Sequence, residues 1–272
     1  MVHEQEYVLG THDEELHRLG LQHRAWRARM LDAWAAAGIT VGSRVVDLGC
    51  GPGYTTVDLA ELVGPHGEVL AIERSARFAA VARDQCAQRG FKHVQVVEAD
   101  LADDLALTPT FDAVWCRWVA MFVPNLPRLV QHASSALRPG GSVIFHEYVN
   151  YASWRAIPPL ASLDSFVAET MASFRDADAT ADVAPLLIPT LAATGFEIVE
   201  ATPLLFTITP ADFFWHWLRS FIMSYTHRLA ESGRVTEAWS QHVHQDFAAF
   251  EQSSDARMLT PTVLQVIARK TS

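Results

Sequence analysis

The stretch Val45-Val46-Asp47-Leu48-Gly49-Cys50-Gly51-Pro52-Gly53 decides the fold. A short apolar run over 44–48 ends in three alternating glycines and leads into a helical pattern over 54–63. Glycine admits positive φ and lets a ligand approach the backbone closely. A glycine-rich turn between a strand and a helix lies at the crevice outside the carboxyl ends of an open α/β sheet, where such sheets bind ligands.

The same alternation continues downstream. Strands are predicted over 68–72, 94–98, 111–116 and 142–147, with helices over 76–89 and 126–137, the second stopped by Pro139-Gly140-Gly141. Apolar strands alternating with helices imply a mostly parallel, Rossmann-like α/β sheet with helices on both faces. Upstream, Leu16, Leu19, His23, Trp26, Met30, Ala33 and Ala37 recur at spacings of three and four, which predicts an amphipathic helix over 13–37. After Tyr148 the rhythm changes. Helices are predicted over 154–174, 185–194, 213–229 and 235–252, a strand or pair of strands over 196–208, and a last strand over 263–268.

The expected organisation is a single catalytic domain. Residues 1–40 form a helical leader over the ligand site and 41–150 the Rossmann-like core. Residues 151–182 and 211–252 form a helical cap, and 183–210 with 253–272 complete the sheet.

Composition narrows the partners. The 272 residues are 50% hydrophobic and 19% charged, enough for a sizeable core and too apolar for disorder. The formal charge of −10 and the absence of a basic run argue against nucleic acid and against an anionic membrane surface. No stretch approaches the apolar length of a membrane span, and the acidic N-terminus lacks the apolar core of a signal peptide. Three scattered cysteines, Cys50, Cys86 and Cys116, suit a reducing compartment, so a cytoplasmic location is expected. No histidine pair has metal-ligand spacing, so no metal is expected.

The loop is not that of a dinucleotide site. Tyr54 stands where the third glycine of Gly-x-Gly-x-x-Gly belongs, and Asp47 precedes the loop. A carboxylate repels a pyrophosphate and suits an ammonium or sulfonium group. Glu73 ends the second strand about 20 residues past the loop, the place of a carboxylate that bonds ribose hydroxyls. Asp100 follows the third strand, where it can accept an adenine amino group while Leu101 packs on the ring.

Taken together, these motifs resemble the class I S-adenosylmethionine-dependent methyltransferase superfamily. The segment 47–53 resembles its first motif, Glu73 its second and Asp100 its third. Phe111-Asp112-Ala113-Val114-Trp115-Cys116 resembles its fourth strand, and Leu137-Arg138-Pro139-Gly140-Gly141 the turn before its fifth. The resemblance implies a seven-stranded sheet with a reversed last hairpin made from 196–208 and 263–268. It also implies S-adenosylmethionine as cofactor, with S-adenosylhomocysteine as product, bound by Asp47, Gly49, Gly51, Gly53, Glu73, Arg74, Asp100 and Leu101. Tyr7-Val8-Leu9-Gly10-Thr11 and Leu19-Gly20-Leu21-Gln22-His23 resemble the leader of standalone members of the quinone and natural-product type, which implies cofactor contacts from Tyr7 and Gln22.

Arg117, after the fourth strand, either binds the methionine carboxylate or pairs with a nearby acid. His146, near the end of the fifth strand, is the best candidate for a general base. The helix over 213–229 is apolar almost all round, which fits a core helix, a dimer contact or a lid over an apolar acceptor. A homodimer is compatible with it. The expected reaction is methyl transfer to oxygen or carbon of a small apolar or aromatic molecule. The alternatives are a nicotinamide-dependent oxidoreductase and a non-catalytic binding module on the same fold.

Overall fold

The computed structural model describes residues 10–271. The described residues open with α1 (Asp13–Ala36), whose first turn carries Asp13, Glu14 and Glu15 where the helix dipole favours acids. The core then alternates as β1 (Arg44–Leu48), α2 (Tyr54–Val63), β2 (Glu68–Glu73), α3 (Ala76–Gln88), β3 (Val94–Glu98), β4 (Phe111–Arg117), α4 (Leu126–Ala136) and β5 (Leu137–Asn150). Side-chain caps start two of these helices: Ser75 accepts from the Phe78 amide, and Asn125 from the Arg128 amide. The rest comprises β6 (Arg155–Ile157), α5 (Ala161–Asp176), α6 (Ala184–Ala193), β7 (Phe196–Leu204), β8 (Thr207–Ile208), α7 (Phe213–Glu231), α8 (Glu237–Glu251), β9 (Arg257–Leu259) and β10 (Thr262–Lys270).

The main sheet has seven strands in the order β3-β2-β1-β4-β5-β10-β7. The first five pair in parallel, and β10 runs antiparallel to both β5 and β7. The expected reversed hairpin is therefore present. Strand order reverses at β1, which lies between β2 and β4, and a crevice opens there at the strand ends. Alternate strand residues feed two apolar layers. Val45, Trp115 and Ile144 pack with Trp34 of α1 and Leu59 of α2. Val46, Val114 and Val143 belong to the layer that includes Leu129 of α4 and Leu187 of α6.

Three expected boundaries change. The predicted helix over 154–174 is two elements, because Pro158-Pro159 cannot sit inside a helix; β6 precedes the prolines and α5 follows them. The strand β9 was not expected, and it joins β6 and β8 in a small antiparallel sheet. Finally, β5 is longer than the predicted 142–147. Its pairing with β4 shifts register across Pro139-Gly140-Gly141, and it continues to Asn150.

The cap explains the apolar α7. Trp215 stacks on Phe247 of α8 with ring centres 5.7 Å apart, and other faces of α7 meet α1 and α5. A helix covered on several sides must be apolar on several sides. Among the described residues, no helix is long and apolar enough to cross a membrane.

Trp34 is fully buried, with its ring edge-on to Trp115 at 5.5 Å. Trp34→Ala is expected to cost about 3–5 kcal/mol by leaving a cavity beneath the sheet. A urea denaturation series checks this; a loss below about 1 kcal/mol would mean that this layer is not closely packed.

Candidate active site

The crevice holds a cavity of about 520 Å³ bounded by the ends of β1, β2, β4 and β5 and roofed by α1 and α7. One end is the glycine loop. Gly53 starts α2 at φ 89°, and a Cβ there would lie 2.7 Å from the Ala82 Cβ of α3. Gly53 is thus required for close packing of two helices, and it does not line the cavity. Gly51, at φ 56°, does line it, and a Cβ there would meet nothing within 4 Å.

The acidic residues converge on this loop. Glu73 Oε2 accepts from the Gly51 amide and Oε1 from the Ser75 amide, both at 2.8 Å. Burial raises the Glu73 carboxyl above its usual range, against these two hydrogen bonds. Asp47 accepts from the Thr56 hydroxyl at 2.7 Å, and burial lifts it to about 7 despite that bond and the nearby Arg117. Asp100 accepts from the Ala102 amide at 2.8 Å and lines the cavity beside the buried Leu101.

Arg117 is half-buried, with one guanidinium nitrogen 3.3 Å from the Thr55 hydroxyl. Loss of solvent lowers it to about 10, partly offset by the Asp47 and Asp58 carboxylates, so it stays charged near neutrality. Both expectations for Arg117 persist in this geometry: it lines the cavity and it feels nearby acids. Arg74 and Gln22 also line the cavity. Tyr7 lies outside the described residues.

His146 is where sequence and structure part. It is fully buried and does not line the cavity, because β5 runs on to Asn150 and leaves His146 below the rim. Gln265 donates its amide to Glu200 at 2.7 Å, so its oxygen faces His146 Nε2 at 2.9 Å. Nε2 must therefore carry the proton and donate it. The other ring nitrogen, Nδ1, is buried without a partner, and the ring packs against Trp26 and Trp115. Burial holds the ring neutral by pushing its pKa down to about 3. A group so enclosed has no route to a substrate proton, which overturns its assignment as a base. Tyr148, two residues on, reaches the cavity in its place.

The cavity also has an aromatic wall that the sequence reading largely missed. Trp118 stacks between Tyr148 at 5.6 Å and Trp217 at 5.7 Å, and Tyr151, Trp154 and Phe174 extend the surface. The available signal was the density of aromatics just after β4 and β5. Trp118 sits at φ 52°. The turn that carries it is tied down by Glu147, whose Oε1 accepts from the amides of Val119 and Ala120 at 2.8 and 2.9 Å. His23 proves to be a crevice-edge residue, with Nε2 3.2 Å from Asp58 and its ring stacked on Tyr54. Cys50 is buried, and desolvation raises its thiol well above the usual range, which leaves it inert packing.

Residues 45–141 match the family model of a methyltransferase domain. Over this segment the chain is similar to methyltransferase domains. The chain is 30% identical over 123 residues to a demethylmenaquinone methyltransferase of Anoxybacillus flavithermus, covering 45% of this chain and 51% of that one. A demethylmenaquinone methyltransferase of Bacillus cytotoxicus is 29% identical over 126 residues, with the same coverage. The chain thus spans about half the length of the curated relatives it matches. Among solved structures, a putative methyltransferase from Bacillus halodurans aligns with a TM-score of 0.60 at 18% identity, over 90% of this chain and 100% of that one. A geranyl diphosphate methyltransferase bound to GPP and sinefungin aligns at 0.58 and 18% identity, over 91% and 79%. The [4+2]-cyclase SpnF aligns at 0.57 and 18% identity, over 89% and 80%. These likenesses establish the fold over about nine-tenths of the chain.

Glu147 offers a test of the turn below the aromatic wall. Burial lifts its carboxyl from the ordinary 4.5 to about 8, so it is protonated at neutral pH. A folded-state value raised above the unfolded one gives stability that is present below 4.5 and lost as pH rises through 8. Glu147→Gln keeps the acceptor oxygen and cannot ionise. Its melting temperature relative to wild type is expected to climb between pH 5 and pH 8 and to level off above that; a constant difference would show that Glu147 does not titrate in this window.

Proposed function

We propose that this chain transfers a methyl group from S-adenosylmethionine to oxygen or carbon of a small, uncharged, apolar or aromatic molecule. The observation that carries the reading is a single cavity lined both by Asp47, Glu73 and Asp100 and by an aromatic wall. The acidic groups fit a ligand with cationic groups and hydroxyls and no phosphate. The Gly51 amide, which a pyrophosphate would need, is already used by Glu73, and the Gly53 amide bonds the Cys50 carbonyl. This arrangement disfavours a nicotinamide dinucleotide.

In this reading Glu73 accepts from the ribose hydroxyls, Asp100 meets the adenine amino group, and Leu101 packs against the ring. Arg74 borders the same pocket, Arg117 faces the methionine carboxylate, and Asp47 offsets the positive charge. When bound, the cofactor supplies a methyl group already activated on a sulfonium. The protein's own work is alignment and exclusion of water, and alignment alone can supply roughly 7–11 kcal/mol. Trp118, Tyr148 and Trp217, already stacked on one another, border the space for a flat acceptor, and an edge-to-face contact with such a ring is worth about 0.5–1.5 kcal/mol beyond area burial. The demethylmenaquinone methyltransferases act, by name, on a quinone-type molecule, which supports an acceptor of this kind here. A cyclase on the same fold means that turnover has to be measured and not read from the architecture.

Titration calorimetry with S-adenosylmethionine and S-adenosylhomocysteine tests the cofactor. Wild type is expected to bind both at micromolar concentrations, and Glu73→Ala to weaken both by about tenfold or more, as expected for lost hydrogen bonds to a charged group. No binding to either ligand would end the methyltransferase reading. If binding occurs, methyl transfer to none of a panel of phenols, quinols and enolisable ketones would favour a non-catalytic module.

The same titration has a predicted pH dependence. With Asp47 near 7, only its ionised form favours a cation, so S-adenosylmethionine affinity should rise about fivefold from pH 6 to pH 7. Asp47→Asn should remove that rise; an unchanged slope in the variant would assign it to another group.

A further inference from the structure

Two adjacent polar residues of α1 reach the cavity wall, and they face different neighbours. Successive helical residues project about 100° apart around the axis. His23 turns to α2, against Asp58 and Tyr54. Gln22 turns to α7, where its Oε1 accepts from the Trp217 indole at 3.1 Å and also from the Arg18 guanidinium at 2.9 Å. Both partners can only donate. The atom between them must therefore be the oxygen, which fixes the amide against a flip. Arg18 is itself held by both oxygens of Glu15 at 2.6 Å, so this clasp is rigid.

The consequence is a one-sided side chain. Its oxygen is occupied twice, and its NH2 hydrogen-bonds to none of the described residues. Gln22 lines the cavity, so what it has left to offer a ligand is a pair of donors. Their position is set by Trp217, which stacks on Trp118 and so belongs to the aromatic wall. The acidic groups that suit the cofactor lie around the glycine loop, on the side to which His23 turns.

We propose that Gln22 Nε2 donates a hydrogen bond to an oxygen of the methyl acceptor. Gln22 is then a specificity-determining residue that selects flat molecules bearing a carbonyl, ether or phenolate oxygen over hydrocarbons of the same outline. A site built around a hydrogen bond rejects the analogue that lacks the partner, because its own polar group is left unpaired. The proposal rests on the methyltransferase reading and changes the role that the family resemblance implies for Gln22, from cofactor contact to acceptor contact.

Gln22→Glu tests it with little other disturbance. One carboxylate oxygen still accepts from Arg18 and Trp217, while the atom facing the cavity changes from donor to acceptor. The probes are 1-tetralone and tetralin, which share a bicyclic outline and differ in the carbonyl. They are titrated calorimetrically into protein saturated with S-adenosylhomocysteine. Wild type is expected to bind the ketone about tenfold more tightly, the worth of one hydrogen bond in a partly enclosed site. Gln22→Glu should lose that preference, with S-adenosylhomocysteine affinity within about twofold of wild type and an unchanged melting temperature. If the variant melts several degrees lower, Gln22→Met, of similar length and without an amide, should show the same lost preference. A wild type that does not favour the ketone, or a Gln22→Glu variant that still does, overturns the proposal. So does a variant that loses S-adenosylhomocysteine affinity while keeping the ketone preference, since that assigns the amide to the cofactor. A wild type that binds no S-adenosylhomocysteine removes the underlying reading, and the proposal with it.

Discussion

Glu73 joins the ends of two strands through a single carboxylate, one oxygen on the Gly51 amide and the other on the Ser75 amide. The glycine loop follows β1, and Ser75 caps α3 after β2, so this group sets the spacing of the crevice floor. The loop can adopt its path only because its glycines take left-handed φ values, and Gly53 additionally lets α2 approach Ala82. With the Gly51 amide committed to a carboxylate, the loop is no phosphate cradle. One interaction therefore fixes the geometry of the floor and takes up the amide that a phosphate would need.

The roof of the crevice sets the other half of the problem. By covering the crevice, α1 and α7 lower the local dielectric, and the floor's ionisable groups respond in the expected directions: Asp47 rises to about 7 and Arg117 falls to about 10. Both shifts express the cost of charge in a site shielded from water. A cation that relieves the cost at Asp47 gains more there than it would in water, and an anion gains likewise at Arg117. Under the proposed function, burial at Asp47 and Arg117 thus favours a ligand carrying both signs of charge.

The core was legible in the sequence because its signals are local. The loop at 47–53, the alternation of strands and helices, and the position of Glu73 all depend on residues near one another in the chain. The failures were non-local. His146 looked like a rim residue because the end of β5 was placed at 147, and its true extent depends on pairing with β10, more than a hundred residues away. The small sheet is built from three strands of two or three residues each, too short for any periodicity. The helix over 213–229 gave a true signal, excess apolarity, whose meaning needed its neighbours. Trp215 serves packing on α8, and Trp217 serves the cavity.

The aromatic wall shows how strain in one place yields order in another. A tryptophan at positive φ is disfavoured by about 1–3 kcal/mol, and it persists only where the surroundings over-determine it. Here the constraints are identifiable. The Trp118 amide bonds the His146 carbonyl at 3.0 Å, and Glu147 takes the next two amides. Both anchors come from neighbouring residues of β5, a strand locked between β4 and β10. The buried His146, first read as a general base, and its neighbour Glu147 are better understood as the support that turns Trp118 out of the β4 direction and into the stack between Tyr148 and Trp217. Chemistry at this wall of the cavity then falls to groups that reach it, and the strained turn beneath determines where they stand.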